Sequence, residues 1–513
     1  MKTRTQLFCF ASVLASFAQT ALADVKLPAI FSDHMVLQQE TTVPVWGWAE
    51  PGEEVTVSIA GQSQSTKAGA AGKWSVKLAR LKVGDTLTLT VKGRNTITVQ
   101  DVLVGEVWLC SGQSNMAMTV NRAKDFDQEK SAANFPKLRM FFEQSAAATE
   151  PKEQGRGVWQ VCSPETVGNF SATAYFFGRE VHQKLGVPVG IINSSVGGTA
   201  IEAWTSWDAQ KGKAELKQPV FDRWEKMQAD WTPEKAAAAY EKQLAAYKLA
   251  VAKAKAGGKP EPRAPRKQVE PRLDGNHPAN LYNGKISPLI PYAIRGAIWY
   301  QGESNAGIGQ LYRLQLTTMI KDWRARWGYD FPFAWVQLPD FHAAQKEPVE
   351  DTGWVHVREG MLQTLSLPRT GMAITLGLGE AGDIHPKNKQ DVGRRLAFWA
   401  LGDVYKQKGV AISGPLPDGH KIRGNEVTLS FTHTDGGLVI AQGGGELKGF
   451  AIAGADKKWV KAAAKILGDK VVVSSPEVAR PAAVRYAWAD NPEFSLYNGA
   501  GLPATPFRTD DWK

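Results

Sequence analysis

The chain has 513 residues, 43% of them apolar and 22% charged, with a formal net charge of +10. That length accommodates about three domains at ~150 residues each, and the balance is that of a globular protein that buries a large core without staples. The basic residues are scattered, with no dense Lys/Arg run beside a helix-turn-helix or RNA-binding signature, which argues against nucleic acid as a partner.

Lys2 and Arg4 precede a predominantly apolar run from Leu7 to Leu22, and Ala21-Leu22-Ala23 forms an Ala-x-Ala cleavage site before Asp24. This pattern predicts a cleavable secretory signal over residues 1–23 rather than a membrane span, and an exported protein, periplasmic or secreted. Cys9 leaves with that signal. Cys110 and Cys162 remain, open to one disulfide or to two buried free thiols. Two cysteines without clustered histidines argue against structural zinc.

Residues 24–101 read as an N-terminal β-sandwich domain. Thr42–Trp48, Val55–Ile59, Trp74–Leu78, Thr86–Val91 and Thr96–Val99 alternate with period two, separated by turn signals such as Pro51-Gly52 and Gly84-Asp85.

From 102 to 409 the texture is α/β. Val107–Cys110 predicts a buried strand that breaks at Ser111-Gly112-Gln113 and displays Ser114 at the sheet's carboxyl edge, the usual place for a site in an open α/β sheet. The plain alternative is that Ser114 caps a helix. Leu138–Phe142 predicts a strand, Thr173–Leu185 a helix ending at Gly186, and Val187–Ile192 another strand. A turn with Gly197-Gly198 follows, where backbone N–H groups can approach a ligand closely.

Residues 208–274 leave this pattern as an insertion. Thr232 and Pro233 start a helix with Tyr240, Leu244, Tyr247 and Val251 on one stripe, ending at Gly257-Gly258; a solvated helix is favoured there over a lid. The α/β pattern resumes with Ala293–Tyr300, which leads into Gln301-Gly-Glu-Ser-Asn305. A helix over Tyr312–Trp327 follows, then strands Phe333–Leu338 and Met372–Leu376, and Asp383-Ile-His385-Pro386 before a helix from about Lys389 to Leu401. Strands alternating with helices predict a parallel sheet covered on both faces. Residues 410–513 return to β, with runs such as Glu426–Phe431 and Lys470–Val473, and read as a C-terminal β domain.

Acyl transfer needs a nucleophile, a base and donors for an oxyanion. Of the eight histidines, His385 is singled out because it follows an α/β strand, has Asp383 two residues earlier and Pro386 behind it. The competing reading makes it a helix cap. His277, in Asn276-His-Pro, is a surface or cleft histidine. Glu303 with Asp383 would supply the two carboxylates of a glycosidase, but that leaves Ser114 and both glycine turns without a role.

Met116 stands where an α/β-hydrolase needs its second glycine. The motifs instead resemble the SGNH-hydrolase superfamily and, within it, the sialate O-acetylesterase family. The resemblance rests on Phe31–Gln38, Trp108–Met116, Gly190–Trp204, Trp299–Asn305 and Asp383–Lys387. It implies an SGNH-type parallel-sheet core flanked by the two β domains, and a serine esterase that needs no metal or organic cofactor. By the same resemblance Ser114 is the nucleophile, His385 the base and Asp383 the orienting acid. The superfamily's acid more often stands three residues before the histidine, at Gly382 here, so Glu380 or a backbone carbonyl are alternatives to Asp383. The implied oxyanion donors are the N–H groups of Ser114 and Gly198 and a side-chain amide, Gln301 or Asn305, with Gln301 preferred. The implied substrate is an O-acetylated carbohydrate, sialic acid first and acetylxylan or another polysaccharide second. The alternative of another class is a non-catalytic carbohydrate-binding protein that uses Trp204 and Trp207 as stacking platforms.

Overall fold

Short alternating strands open the chain: β1 (Val36–Gln38), β2 (Val43–Trp48), β3 (Glu54–Ile59), β4 (Gln62–Lys67), β5 (Lys73–Leu78) and β6 (Leu87–Lys92), before β7 (Thr96–Gly112). The computed structural model describes residues 24–258, 260–441 and 444–512, so the expected signal segment lies outside the described residues. In β5, Trp74, Val76 and Leu78 are buried while Lys73, Ser75 and Lys77 are exposed, the period of a half-buried strand. β2 pairs antiparallel with β5, and β3 antiparallel with β4 and β6. Val45, Val57, Leu78 and Leu89 from both small sheets share one apolar core.

β7 joins this layer to the next. Its first half pairs with β6 and β1, and its second half is the central strand of a larger parallel sheet. The expected division between residues 101 and 102 therefore falls inside one continuous strand, Thr96–Gly112.

The larger sheet adds β8 (Phe135–Glu143), β9 (Gly157–Cys162), β10 (Val189–Ser195), β11 (Gly296–Tyr300), β12 (Phe333–Val336) and β13 (Thr370–Ala373), in the order β13–β12–β11–β7–β10–β8–β9. All neighbours are parallel except β9, which runs antiparallel to β8. Trp108 and Cys110 pack with residues of helices Ala172–Leu185 and Lys389–Trp399. Leu109 and Trp299 pack on the opposite side with residues of Tyr312–Trp327 and Gly353–Thr364. With both faces covered, alternation disappears and the strands read as continuous apolar runs.

Both cysteines are buried free thiols, with no disulfide between them. Burial pushes the Cys162 thiol up to about 12, so it behaves as a small apolar side chain.

The insertion has two unlike halves. Leu216, Val220, Phe221 and Trp224 pack against Ile308, Leu311 and Leu314. The helix Pro233–Ala256 buries only Ala236 and is capped by Thr232, whose hydroxyl accepts the Lys235 N–H at 3.2 Å.

Towards the carboxyl end lie antiparallel sheets of four, four and two strands. They are bolted to the central layer by Arg358, whose guanidinium donates to the carbonyls of Leu338, Pro339, Ala489 and Asp490. No helix among the described residues is long and apolar enough to cross a membrane.

Candidate active site

The sheet ends its central strand at Gly112, φ +141°, where a Cβ would come within 2.2 Å of the Tyr300 carbonyl oxygen. Only glycine fits that turn. The chain then enters the short helix Ser114–Ala117 with Ser114 as its first residue. Beside it runs the turn after β10. A Cβ on Gly197 would stand 3.3 Å from Ser114 Cβ, and Gly198 is left-handed at φ +73°. Asn276 braces this turn, donating from Nδ2 to the Gly198 carbonyl at 3.0 Å and accepting the Ala200 N–H at 2.8 Å. The main-chain N–H groups of Ser114 and Gly198 have no backbone hydrogen-bond partner among the described residues. Both are free to donate to a developing oxyanion.

The third element arrives from the loop after β13. His385 Nε2 lies 2.8 Å from Ser114 Oγ, across 271 positions of sequence. Burial lowers the His385 pKa below the ordinary histidine value; Asp383 opposes that shift, while Lys389 and Arg122 reinforce it. The imidazole is therefore neutral near pH 7 and able to take a proton. Asp383 Oδ1 accepts the main-chain N–H of His385 at 2.9 Å and stands 3.6 Å from Nδ1, longer than a hydrogen bond and an ion pair only once the imidazole takes a proton. Glu380 is turned to the Lys387 N–H, which its carboxylate accepts at 2.8 Å.

A family model described as a carbohydrate esterase, sialic acid-specific acetylesterase, matches residues 104–252. The mouse sialate O-acetylesterase is 28% identical over 96% of this chain and 96% of its own length; the human one is 28% identical over 94% and 92%. A carbohydrate acetylesterase from Xanthomonas citri, solved by crystallography, is 36% identical, with TM-score 0.80 over 95% of this chain and 100% of that one.

The chain belongs to the sialate O-acetylesterase family. It is a carboxylic ester hydrolase.

The third family motif corrects one expectation. Gln301 is fully buried; its Nε2 donates to the Thr199 carbonyl at 3.0 Å and to Asn305 Oδ1 at 2.7 Å. Asn305 is 1% exposed; its Nδ2 is engaged by Glu202 at 2.9 Å and Gln315 at 3.3 Å, while its Oδ1 also accepts the Ile201 N–H at 3.0 Å. Neither amide has a donor left for an oxyanion. They brace the Gly198 turn from behind, because a buried turn must satisfy its own polar groups.

Glu303 has a different part to play. Its Oε1 accepts Asn115 Nδ2 at 2.6 Å, and the same Nδ2 donates to the Ile384 carbonyl at 3.0 Å. Lys389 Nζ donates to Asn115 Oδ1 at 2.6 Å. Glu303 thus holds the serine turn to the histidine loop through Asn115. It does not form a glycosidase pair with Asp383, whose contacts are with His385. Asn115, Asn276 and Lys389 escape sequence reasoning. For Lys389 one signal was available: a lysine in the first turn of a helix opposes the macrodipole and calls for a reason.

Proposed function

We propose that the chain is an SGNH-type serine esterase that removes O-acetyl groups from a carbohydrate, with O-acetylated sialic acid as its first substrate. The observation that carries this reading is the 2.8 Å hydrogen bond between Ser114 Oγ and His385 Nε2. A serine hydroxyl is inert at neutral pH without such a base.

Ser114 Oγ attacks the acetyl carbonyl carbon while its proton passes to His385 Nε2. The N–H groups of Ser114 and Gly198 hold the resulting oxyanion. Collapse breaks the bond to the sugar oxygen, which takes the proton from the imidazolium and leaves as the sugar hydroxyl. Water, deprotonated by His385, then attacks the acetyl-serine and releases acetate. Asp383 stabilises the imidazolium by its charge and holds the loop by its bond to the His385 N–H. Residues 102–409 form the esterase unit in this reading, flanked by units 24–101 and 410–513. The signal-like residues 1–23 direct export, with the periplasm or the exterior as destination.

Ser114→Ala is expected to lower kcat on a chromogenic acetyl ester by about a thousandfold or more. Hydrolysis that survives the change removes Ser114 from the mechanism. Comparing kcat/KM on O-acetylated sialic acid and on acetylated xylo-oligosaccharides tests the substrate. Equal or better activity on the second overturns sialic acid as first substrate.

A further inference from the structure

The two tryptophans named as stacking platforms differ sharply: Trp204 is fully buried, whereas Trp207 is 44% exposed. Trp207 lines a cleft of 740 Å³ together with His277, Glu270 and Arg272. His277 directly follows Asn276, whose amide pins the Gly198 turn, and that turn touches Ser114. One wall residue of the cleft is therefore the chain neighbour of the brace of the catalytic turn.

Its wall is built rather than incidental. The Trp207 and His277 rings lie parallel within 6°, with centroids 6.1 Å apart. Each is buttressed edge-on by the insertion: Phe221 packs on Trp207 at 5.3 Å and Trp224 on His277 at 5.3 Å. Those two buttresses sit in the half of the insertion that packs on Ile308, Leu311 and Leu314. A partly exposed indole beside carboxylate and guanidinium groups matches a sugar ring, whose C–H face stacks on an indole and whose hydroxyls bond to charged groups. The cleft shares Tyr282 and Arg326 with a second one of 840 Å³, lined by Trp46 and Trp48 of the N-terminal sheets. Tyr282 and Arg326 thus border two neighbouring clefts, which together offer room for a chain of sugars rather than one.

We propose that the cleft walled by Trp207 and His277 is a binding subsite for the glycosyl residues that carry the acetylated sugar, making an oligosaccharide the preferred substrate. The inference rests on the carbohydrate esterase reading and extends it from the acetyl group to the glycan beyond.

The test uses the full chain with Ser114→Ala, so that binding is read without turnover. Titration calorimetry with sialyllactose and with free sialic acid is expected to show tighter binding of sialyllactose, by about tenfold. Adding Trp207→Ala removes that advantage, and Trp207→Phe retains most of it. Equal affinity for the two sugars, no binding of either, or an advantage untouched by Trp207→Ala overturns the subsite. In the otherwise unaltered chain, Trp207→Ala is expected to raise KM for 9-O-acetylated sialyllactose about tenfold and to leave kcat/KM on 4-nitrophenyl acetate unchanged. A fall on both substrates alike overturns the subsite, since it marks a general disturbance. A parent that hydrolyses no acetyl ester defeats the esterase reading separately, and the calorimetry still decides the cleft.

Discussion

Ser114 and His385 meet as two neutral groups, and charge develops only as the proton moves. The value of Asp383 therefore lies in what it does for the imidazolium. Two unit charges about 4 Å apart interact by ~4 kcal/mol at an effective dielectric of 20. Asp383 sits 3.6 Å from Nδ1 with its side chain 46% exposed, so solvent screens much of that attraction. About 1–2 kcal/mol remains, or roughly five- to thirtyfold in rate. Asp383→Asn is accordingly expected to lower kcat by that factor. A thousandfold loss would contradict the screened geometry and require a direct hydrogen bond.

The same pair sets the pH profile. His385 acts as a base only when unprotonated, and burial lowers its pKa from 6.5. The rising limb of kcat/KM should have its midpoint on the acid side of that value. Because the Asp383 charge opposes the shift, Asp383→Asn should move the limb further towards acid. A shift towards alkali would show that another group holds the imidazolium.

At the scale of elements, the helix Lys389–Trp399 begins with a fully buried lysine, against both the dipole and the cost of burying charge. Burial lowers the Lys389 pKa from 10.5 to about 7, only partly offset by Glu303, Asp383 and Glu380. A lysine in an unfolded chain keeps its ordinary value, so between pH 7 and about 10 the unfolded state binds more protons. Stability contributed at this site therefore rises with pH across that window and is lowest below pH 7. Lys389→Met abolishes the titration. Thermal melts from pH 6 to pH 10 should show the parent gaining on the variant as pH rises; a constant gap would mean that Lys389 does not titrate there.

Elements such as β5 and the helix Tyr312–Trp327 are legible because each satisfies one local period. β4 (Gln62–Lys67) is not: it is a polar sheet-edge strand with no buried residue to create alternation. The helix Gly353–Thr364 buries Arg358 along with Val355, Val357 and Met361, so its charge pattern hides its inward face. The site divides similarly. Ser114, His385 and the glycine turns announce themselves by chemistry at a strand end. Gln301 and Asn305 look like donors because their amides can donate, and only the fold shows that Thr199, Glu202 and Gln315 already engage them.

At the scale of the whole molecule, the C-terminal sheets and the catalytic loop are linked through Arg358. Its guanidinium is fully buried, and burial lowers its pKa to about 10, which leaves it charged at neutral pH. It donates to the carbonyls of Leu338 and Pro339 on one side and of Ala489 and Asp490 on the other, at 2.7–2.9 Å. Asp340, beside this clamp, accepts the Gly377 N–H at 2.6 Å, in the loop that goes on to carry His385. Glu359 adds a bidentate pair with Arg508 at 2.6 and 3.0 Å. Arg358→Met keeps a long apolar stem but strands four buried carbonyls, a loss of about 3–5 kcal/mol by analogy with breaking a buried charge pair. Calorimetry should show the C-terminal sheets melting before the rest of the variant, because two of the four bonds removed, those to Ala489 and Asp490, cross between layers. Below that first transition the variant remains folded, and loosening of the Asp340–Gly377 contact should lower kcat roughly tenfold with KM little changed. A variant that melts in one step at the parent's temperature would show that the two layers are joined elsewhere.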